Sequence, residues 1–174
     1  QKVSMRYLTI VRHAEAAPAA PNSDDFHRVL TPRGRQQCDE LRSWALDESS
    51  LGAYGPCTAL VSAATRTQQT FAAAFEDTTF VRASETSSLI YNGRRDVTAE
   101  DLLIDLQAID PVTTSLLVVA HNPTVTELLA ALTDELPASA RDGVPLAGAY
   151  VLAIPSTTSV GLARYELVDA YLPA

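Results

Sequence analysis

An arginine and a histidine stand side by side at Arg12-His13, at the end of the apolar run Leu8-Thr9-Ile10-Val11. An unprotonated imidazole is a nucleophile, and an adjacent guanidinium can hold the anion that it attacks. A histidine at a strand end is also compatible with a hydrogen-bonded structural role, so the pair gains meaning only from partners elsewhere in the chain. Residues of the right type occur at His27-Arg28, in Ser62-Ala63-Ala64-Thr65-Arg66, and at His121-Asn122.

The elements that would position these residues follow from apolar spacing. Thr31 as N-cap and Pro32 at the first helical position open a helix to about Asp47, with Cys38, Leu41, Trp44 and Ala45 on one face. Thr67, Thr70, Phe71, Ala74 and Phe75 mark a second helix over about Arg66 to Phe75. A third follows Val97, carries the stripe Leu102, Leu103, Leu106 and Ile109, and stops at Asp110-Pro111. The fourth starts near Pro123, with Val125, Leu128, Leu129 and Leu132 on one face. Between them lie strand-length runs: Tyr7 to Val11, Ala59 to Ser62, Thr79 to Ala83, Leu116 to Ala120, Tyr150 to Ile154 and Leu162 to Val168. The first four read as strands covered on both faces. This alternation predicts an α/β fold, a three-layer α/β/α sandwich around a mostly parallel sheet. The last two strands, joined by Pro155 to Gly161, read as a hairpin that puts an antiparallel strand at one edge.

In open α/β sheets, ligands bind beyond the carboxyl ends of the strands. Arg12-His13, Ser62 to Arg66, and His121-Asn122 all fall at such ends, so two histidines and two arginines from distant parts of the sequence are expected to converge. Independent structural roles would not require that convergence.

Composition limits the partners. The 174 residues, 47% of them hydrophobic, suffice for one well-buried core, so a single domain over 1–174 is expected, with residues 1–5 disordered or a remnant of processing. A net charge of −8 repels nucleic acid and anionic membrane surfaces, and an anionic ligand must be drawn in by a local arginine cluster. Cys38 and Cys57 have neither CxxC nor metal-ligand spacing, which makes a disulfide framework or zinc site unexpected and a reducing, cytoplasmic setting the simplest. The longest apolar stretch, Leu146 to Ile154, is too short to span a bilayer, and Arg12 and His13 break the first apolar run before it reaches signal-peptide length.

Four motifs then fall into a known order. Val11-Arg12-His13-Ala14-Glu15, Leu30-Thr31-Pro32-Arg33-Gly34, Ser62-Ala63-Ala64-Thr65-Arg66-Thr67-Gln68-Gln69-Thr70 and Val119-Ala120-His121-Asn122-Pro123 resemble the histidine phosphatase (phosphoglycerate mutase-like) superfamily, and within it the small phosphohistidine phosphatase branch of the SixA type. The resemblance implies that His13 is a nucleophile forming a phosphohistidine, that Arg12 and Arg66 grip the phosphoryl oxygens, and that His121 contacts the charge on the transferring group. It implies that Arg28 also aims at the phosphate, the alternative being a surface arginine. No metal or cofactor is implied. His27 has no counterpart in the motif; Asn122 either shapes the turn or touches substrate; Ser62 caps or supports its strand end.

Two departures are informative. Ala14 stands where many members carry glycine. Broad esterase and mutase members supply a proton donor from a Leu-x-Glu pattern after the third strand, and this chain has Leu89-Ile90-Tyr91 there. An alkyl phosphate leaves as an alkoxide unless it is protonated, whereas the imidazole of a phosphohistidine can be protonated before the P–N bond breaks. The missing acid therefore favours an N-phosphorylated substrate. Glu15 is the first candidate for a replacement acid, and reads equally as a helix-start or surface carboxylate; Glu85 and Asp96, flanking the Tyr91 loop, are the others. The segment from His13 to Arg28 is short and that from Phe80 to Val97 only moderate, which leaves little material for a lid, so a shallow pocket suited to a phosphorylated protein side chain is expected. The expected function is a phosphohydrolase acting through phospho-His13 on protein phosphohistidine. Small phosphate esters or anhydrides are the alternative substrates, and a non-catalytic phosphate-binding domain is the alternative of another class.

Overall fold

The computed structural model describes residues 5–91, 93, 96–156 and 158–174. Gln1 to Ser4, part of the expected remnant, lie outside the described residues, while Met5 opens the first strand. Six strands, β1 (Met5–Arg12), β2 (Cys57–Ser62), β3 (Val81–Ser87), β4 (Ser115–Ala120), β5 (Ala149–Pro155) and β6 (Glu166–Tyr171), form one sheet in the order β3-β2-β4-β1-β5-β6. The β1–β4, β2–β4 and β2–β3 pairings are parallel, and β5 runs antiparallel to both β1 and β6. The reversed strand is thus one in from the edge.

Four helices, α1 (Pro32–Leu46), α2 (Thr65–Ala74), α3 (Ala99–Ile109) and α4 (Thr124–Leu132), cover the sheet. Alternation along the strands divides the interior in two. Leu8, Ile10, Leu116 and Val118 pack with Leu102, Leu106, Leu128 and Leu129 of α3 and α4, while Val11, Leu117 and Val119 pack with Cys38, Leu41, Phe71 and Ala74 of α1 and α2. This is the three-layer arrangement that the alternation of elements predicts. Each such fully buried aliphatic side chain contributes about 1.5–3 kcal/mol.

The third strand corrects an expectation. It runs Val81–Ser87 rather than Thr79 to Ala83, and is exposed from Arg82 to Thr86 instead of being covered on both faces. Thr79 and Phe80 belong to the turn before it, and Phe80 is buried against Phe75, with ring centroids 5.8 Å apart. An edge position explains the polar sequence that follows, since charged residues on an exposed edge discourage further strand pairing.

Local chemistry fixes where α1 starts relative to β1. Thr31 Oγ1 accepts from the Gly34 amide at 2.9 Å, and the Thr31 amide donates to the Glu15 carbonyl at 3.0 Å. Gly34 lies so close to the Glu15 main chain that a Cβ there would come within 2.1 Å of the Glu15 carbonyl oxygen. The glycine of the Leu-Thr-Pro-Arg-Gly motif is therefore required by the close approach of α1 to the segment just beyond His13. Gly34→Ala should destabilise the fold by about 1–3 kcal/mol through overpacking, read as a lower midpoint in urea unfolding; an unchanged midpoint would show that the approach is not constrained.

Candidate active site

Parallel register brings three strand ends to one level. Arg12 pairs with Ala120 and Val61 with Val119, so His13, Ser62 and His121 emerge together at the carboxyl edge of β1, β2 and β4. The His13 amide continues the ladder by donating to the Ala120 carbonyl at 3.2 Å. The two imidazoles stand with ring centroids 5.4 Å apart, and both are buried.

His13 Nδ1 lies 2.7 Å from the Ala14 carbonyl oxygen. A carbonyl only accepts, so Nδ1 carries the proton and the lone pair sits on Nε2. Burial, together with the nearby charges of Arg66, Arg12 and Arg28, lowers the His13 pKa to about 4 against the upward pull of the Ala14 hydrogen bond. At neutral pH the ring is uncharged, with a free lone pair on Nε2. His121 is depressed to about 3 by burial and by the charge of Arg66. Its Nε2 is 2.7 Å from Ser62 Oγ, so Ser62 supports the second histidine. With the serine hydroxyl donating, His121 keeps its proton on Nδ1.

Arg66 sits in the first turn of α2 and is buried. Thr67 Oγ1 donates to the Ser62 carbonyl at 2.7 Å, which ties this turn to the end of β2. Arg12 Nη1 donates to the Val144 carbonyl at 3.1 Å, and Asn122 Nδ2 donates to the same oxygen at 3.0 Å. Asn122 also accepts from Thr126 Oγ1 at 2.7 Å and so shapes the turn into α4. Among the described residues, the buried side-chain polar atoms with no hydrogen-bond partner are Thr9 Oγ1, Arg12 Nε, Arg66 Nε and His121 Nδ1. Buried polar groups are normally satisfied, and here three of them belong to side chains around His13. A bound oxyanion would satisfy them.

Arg28 reaches the Ala17 carbonyl at 2.8 Å and Asp25 Oδ1 at 3.1 Å, and it lies near enough for its charge to act on His13. Glu15 directs its carboxylate to the start of α1, where Oε1 accepts from Thr31 Oγ1 at 2.9 Å and Oε2 is 3.6 Å from Arg33 Nε. Glu85 is exposed on the edge strand, and Asp96 is exposed and lines a surface hollow together with Pro123 and Glu127. His27 pairs with Asp24 at the surface, at 2.6 Å.

The site also contains a residue that the motifs do not reveal. Asp25 accepts from Arg66, Arg28 and the Tyr91 hydroxyl, the last at 2.7 Å. Although burial works the other way, the bonds from Tyr91 and Arg28 and the charge of Arg66 hold its carboxyl down to about 2. Asp25 is an anion at any physiological pH and no proton reservoir. Its sequence signal, an aspartate three residues before an arginine, is that of an ordinary surface pair. Two other contributors escape the sequence pattern. Thr70 Oγ1 accepts from the Ala14 amide at 3.0 Å while donating to the Arg66 carbonyl at 2.7 Å, and the loop before β5 supplies Val144.

A sheet covered by helices on both faces, with a neutral histidine among arginines at its carboxyl edge, is an arrangement of the histidine phosphatase type. No protein-family model matches the chain, and no curated protein matches it. Solved structures do. A structure from Agrobacterium tumefaciens, of a protein assigned as phosphohistidine phosphatase SixA, is 30% identical, with a TM-score of 0.74 over 97% of this chain and 98% of that one. One described in the same terms from Nakamurella multipartitia is 24% identical, with a TM-score of 0.77 over 98% and 97% of the two chains. A protein histidine phosphatase SixA complexed with tungstate is 20% identical, with a TM-score of 0.71 over 94% and 95%. The chain belongs to the histidine phosphatase superfamily, in its SixA-type branch, and is a phosphatase. Among the described residues no helix is long and apolar enough to cross a membrane, and no cluster of three or more His, Cys, Asp or Glu could hold a metal ion.

The sign of the His13 shift is testable. A histidine whose pKa is lowered stays neutral as pH falls below the ordinary value near 6.5 and gains its proton only near 4. Nitrogen-15 NMR of the free protein should show His13 as the neutral Nδ1–H tautomer at pH 6, with protonation centred near pH 4; a midpoint near 6.5 would contradict the geometry.

Proposed function

We propose that the chain, a single domain over 1–174, is a cytoplasmic phosphohydrolase that removes the phosphoryl group from phosphohistidine in a protein, through a covalent phospho-His13 intermediate. The observation that carries this reading is the set of buried, unpartnered nitrogens on Arg12, Arg66 and His121 around a histidine whose free lone pair is on Nε2. His13 Nε2 attacks phosphorus as the P–N bond of the substrate breaks, and the departing imidazole leaves protonated. Water then attacks phospho-His13, releasing inorganic phosphate and restoring the neutral ring. Arg12 and Arg66 hold the equatorial oxygens with donors that never deprotonate, His121 Nδ1–H meets the charge that builds on them, and Arg28 adds positive potential from the rim.

The choice of phosphohistidine rests on the acid. Tyr91 occupies the place of the family's glutamate, Asp25 stays ionised, and the Glu15 carboxylate is engaged with Thr31. A leaving group that carries its own proton suits such a site. Alkyl esters do not. Cys38 and Cys57 are both free and buried, which accords with a reducing compartment.

A phosphohistidine peptide should be turned over at least about 100-fold more efficiently than glycerol phosphate, compared as kcat/KM. Comparable rates on the two would favour the small-molecule reading. His13→Ala should abolish turnover and the acid-labile phosphoenzyme seen on rapid quenching, and residual wild-type activity in that variant would remove His13 from the nucleophile role. Glu15→Gln separates the remaining question: an alkyl ester rate within about twofold of wild type is expected from its contact with Thr31, and a loss of about 100-fold or more would identify Glu15 as the acid.

A further inference from the structure

Asp25 has no step in the reaction derived above, yet it meets three site side chains at once. Its Oδ2 accepts from Arg66 Nη2 at 3.1 Å and from the Tyr91 hydroxyl at 2.7 Å, while Oδ1 accepts from Arg28 Nη1 at 3.1 Å. Its main-chain carbonyl accepts from Arg66 Nη1 at 2.9 Å. Asp25 thus spans the two terminal nitrogens of Arg66, whereas the buried Nε of that arginine has no partner. A guanidinium held at its end offers its side, Nε–H with the remaining N–H of the adjacent nitrogen, to the next acceptor. That side matches two oxygens of a tetrahedral oxyanion.

We propose that Asp25 is the positioning residue of the phosphate grip, fixing Arg66 end-on so that its Nε side faces the phosphoryl group beside His13. The inference rests on the phosphate-binding reading of the site. A carboxylate beside phosphate-binding arginines could instead be a competitor that must leave before an oxyanion enters. The main-chain bond argues against that, because a carbonyl within the 3-10 turn Asp25–His27 cannot swing away as a side chain can. The turn is itself pinned, with the His27 amide donating to Asp24 Oδ1 at 3.2 Å and the Arg28 amide to the Asp25 carbonyl at 3.2 Å. Exposure points the same way. The Arg66 side chain is 6% exposed and that of Asp25 46%, so the costly group to leave unpaired is the arginine, and Asp25 is its counter-ion. Tyr91 completes the frame: its ring lies 5.9 Å from the Arg66 guanidinium carbon and edge-on to Phe26, with centroids 5.0 Å apart.

Orthovanadate, a tetrahedral oxyanion, tests this without reference to the true substrate. Asp25→Ala should weaken orthovanadate binding by about tenfold or more, with kcat/KM on the phosphohistidine peptide falling in parallel. Asp25→Asn, which keeps a neutral oxygen within reach of Arg66, should recover part of both losses while its circular dichroism and melting midpoint stay close to wild type. Unchanged or tighter orthovanadate binding in folded Asp25→Asn and Asp25→Ala would overturn the positioning role and mark Asp25 as bystander or competitor. Failure of the wild-type protein to bind orthovanadate would overturn both this inference and the functional reading. Wild-type binding that weakens in the variants, without phosphohistidine turnover by any of them, would remove the functional reading alone.

Discussion

Arg12, Arg28 and Arg66 bring to one imidazole three charges that no pH tolerated by a folded protein removes. Burial makes that crowding expensive, and the groups that can respond do so. Both histidines give up their protons, and Asp25 keeps its negative charge. What remains is a net positive hollow in a chain whose overall charge is −8. On the proposed function, a phosphoryl dianion entering it would exchange its hydration for fixed donors, the electrostatic basis for stabilising charge that moves during transfer. The neutrality of His13 and the positive potential of the hollow thus have one cause.

The sheet keeps this arrangement in place. Parallel pairing of β1, β4 and β2 levels the strand ends, and continuous burial on both faces of β4 removes any freedom to slip register, since a shift by one residue would exchange the two cores. Contacts beyond the strands then set individual side chains. Ser62 orients His121, the Val144 carbonyl joins Arg12 to Asn122, and the approach of Gly34 to Glu15 holds the segment after His13 against α1.

The convergence of Arg12, His13, Arg66 and His121 was legible in the sequence because each follows an apolar run and parallel sheets gather such positions at one edge. The helices were legible for a similar reason: Thr31-Pro32 and Asp110-Pro111 are punctuation that acts locally. The third strand was misjudged because Thr79 to Val81 is β-branched and aromatic, although burial of Phe80 comes from a turn and the strand proper is the polar stretch beyond it. Asp25 could not be read at all. Its partner Arg66 is 41 residues away, and nothing local distinguishes it from a solvated acid. Val144 contributes a main-chain oxygen, which no side-chain pattern encodes.

One hydroxyl has mechanical importance out of proportion to its size. Thr70 receives the amide of Ala14, the residue after His13, and donates to the carbonyl of Arg66. Strand end and helix are thereby geared together through a single oxygen. The Ala14 amide and the Arg66 carbonyl meet at that oxygen, so a displacement of the first turn of α2 strains the bond to the segment that follows His13. A side chain at position 70 without a hydroxyl would leave both main-chain groups, in a buried place, without this partner.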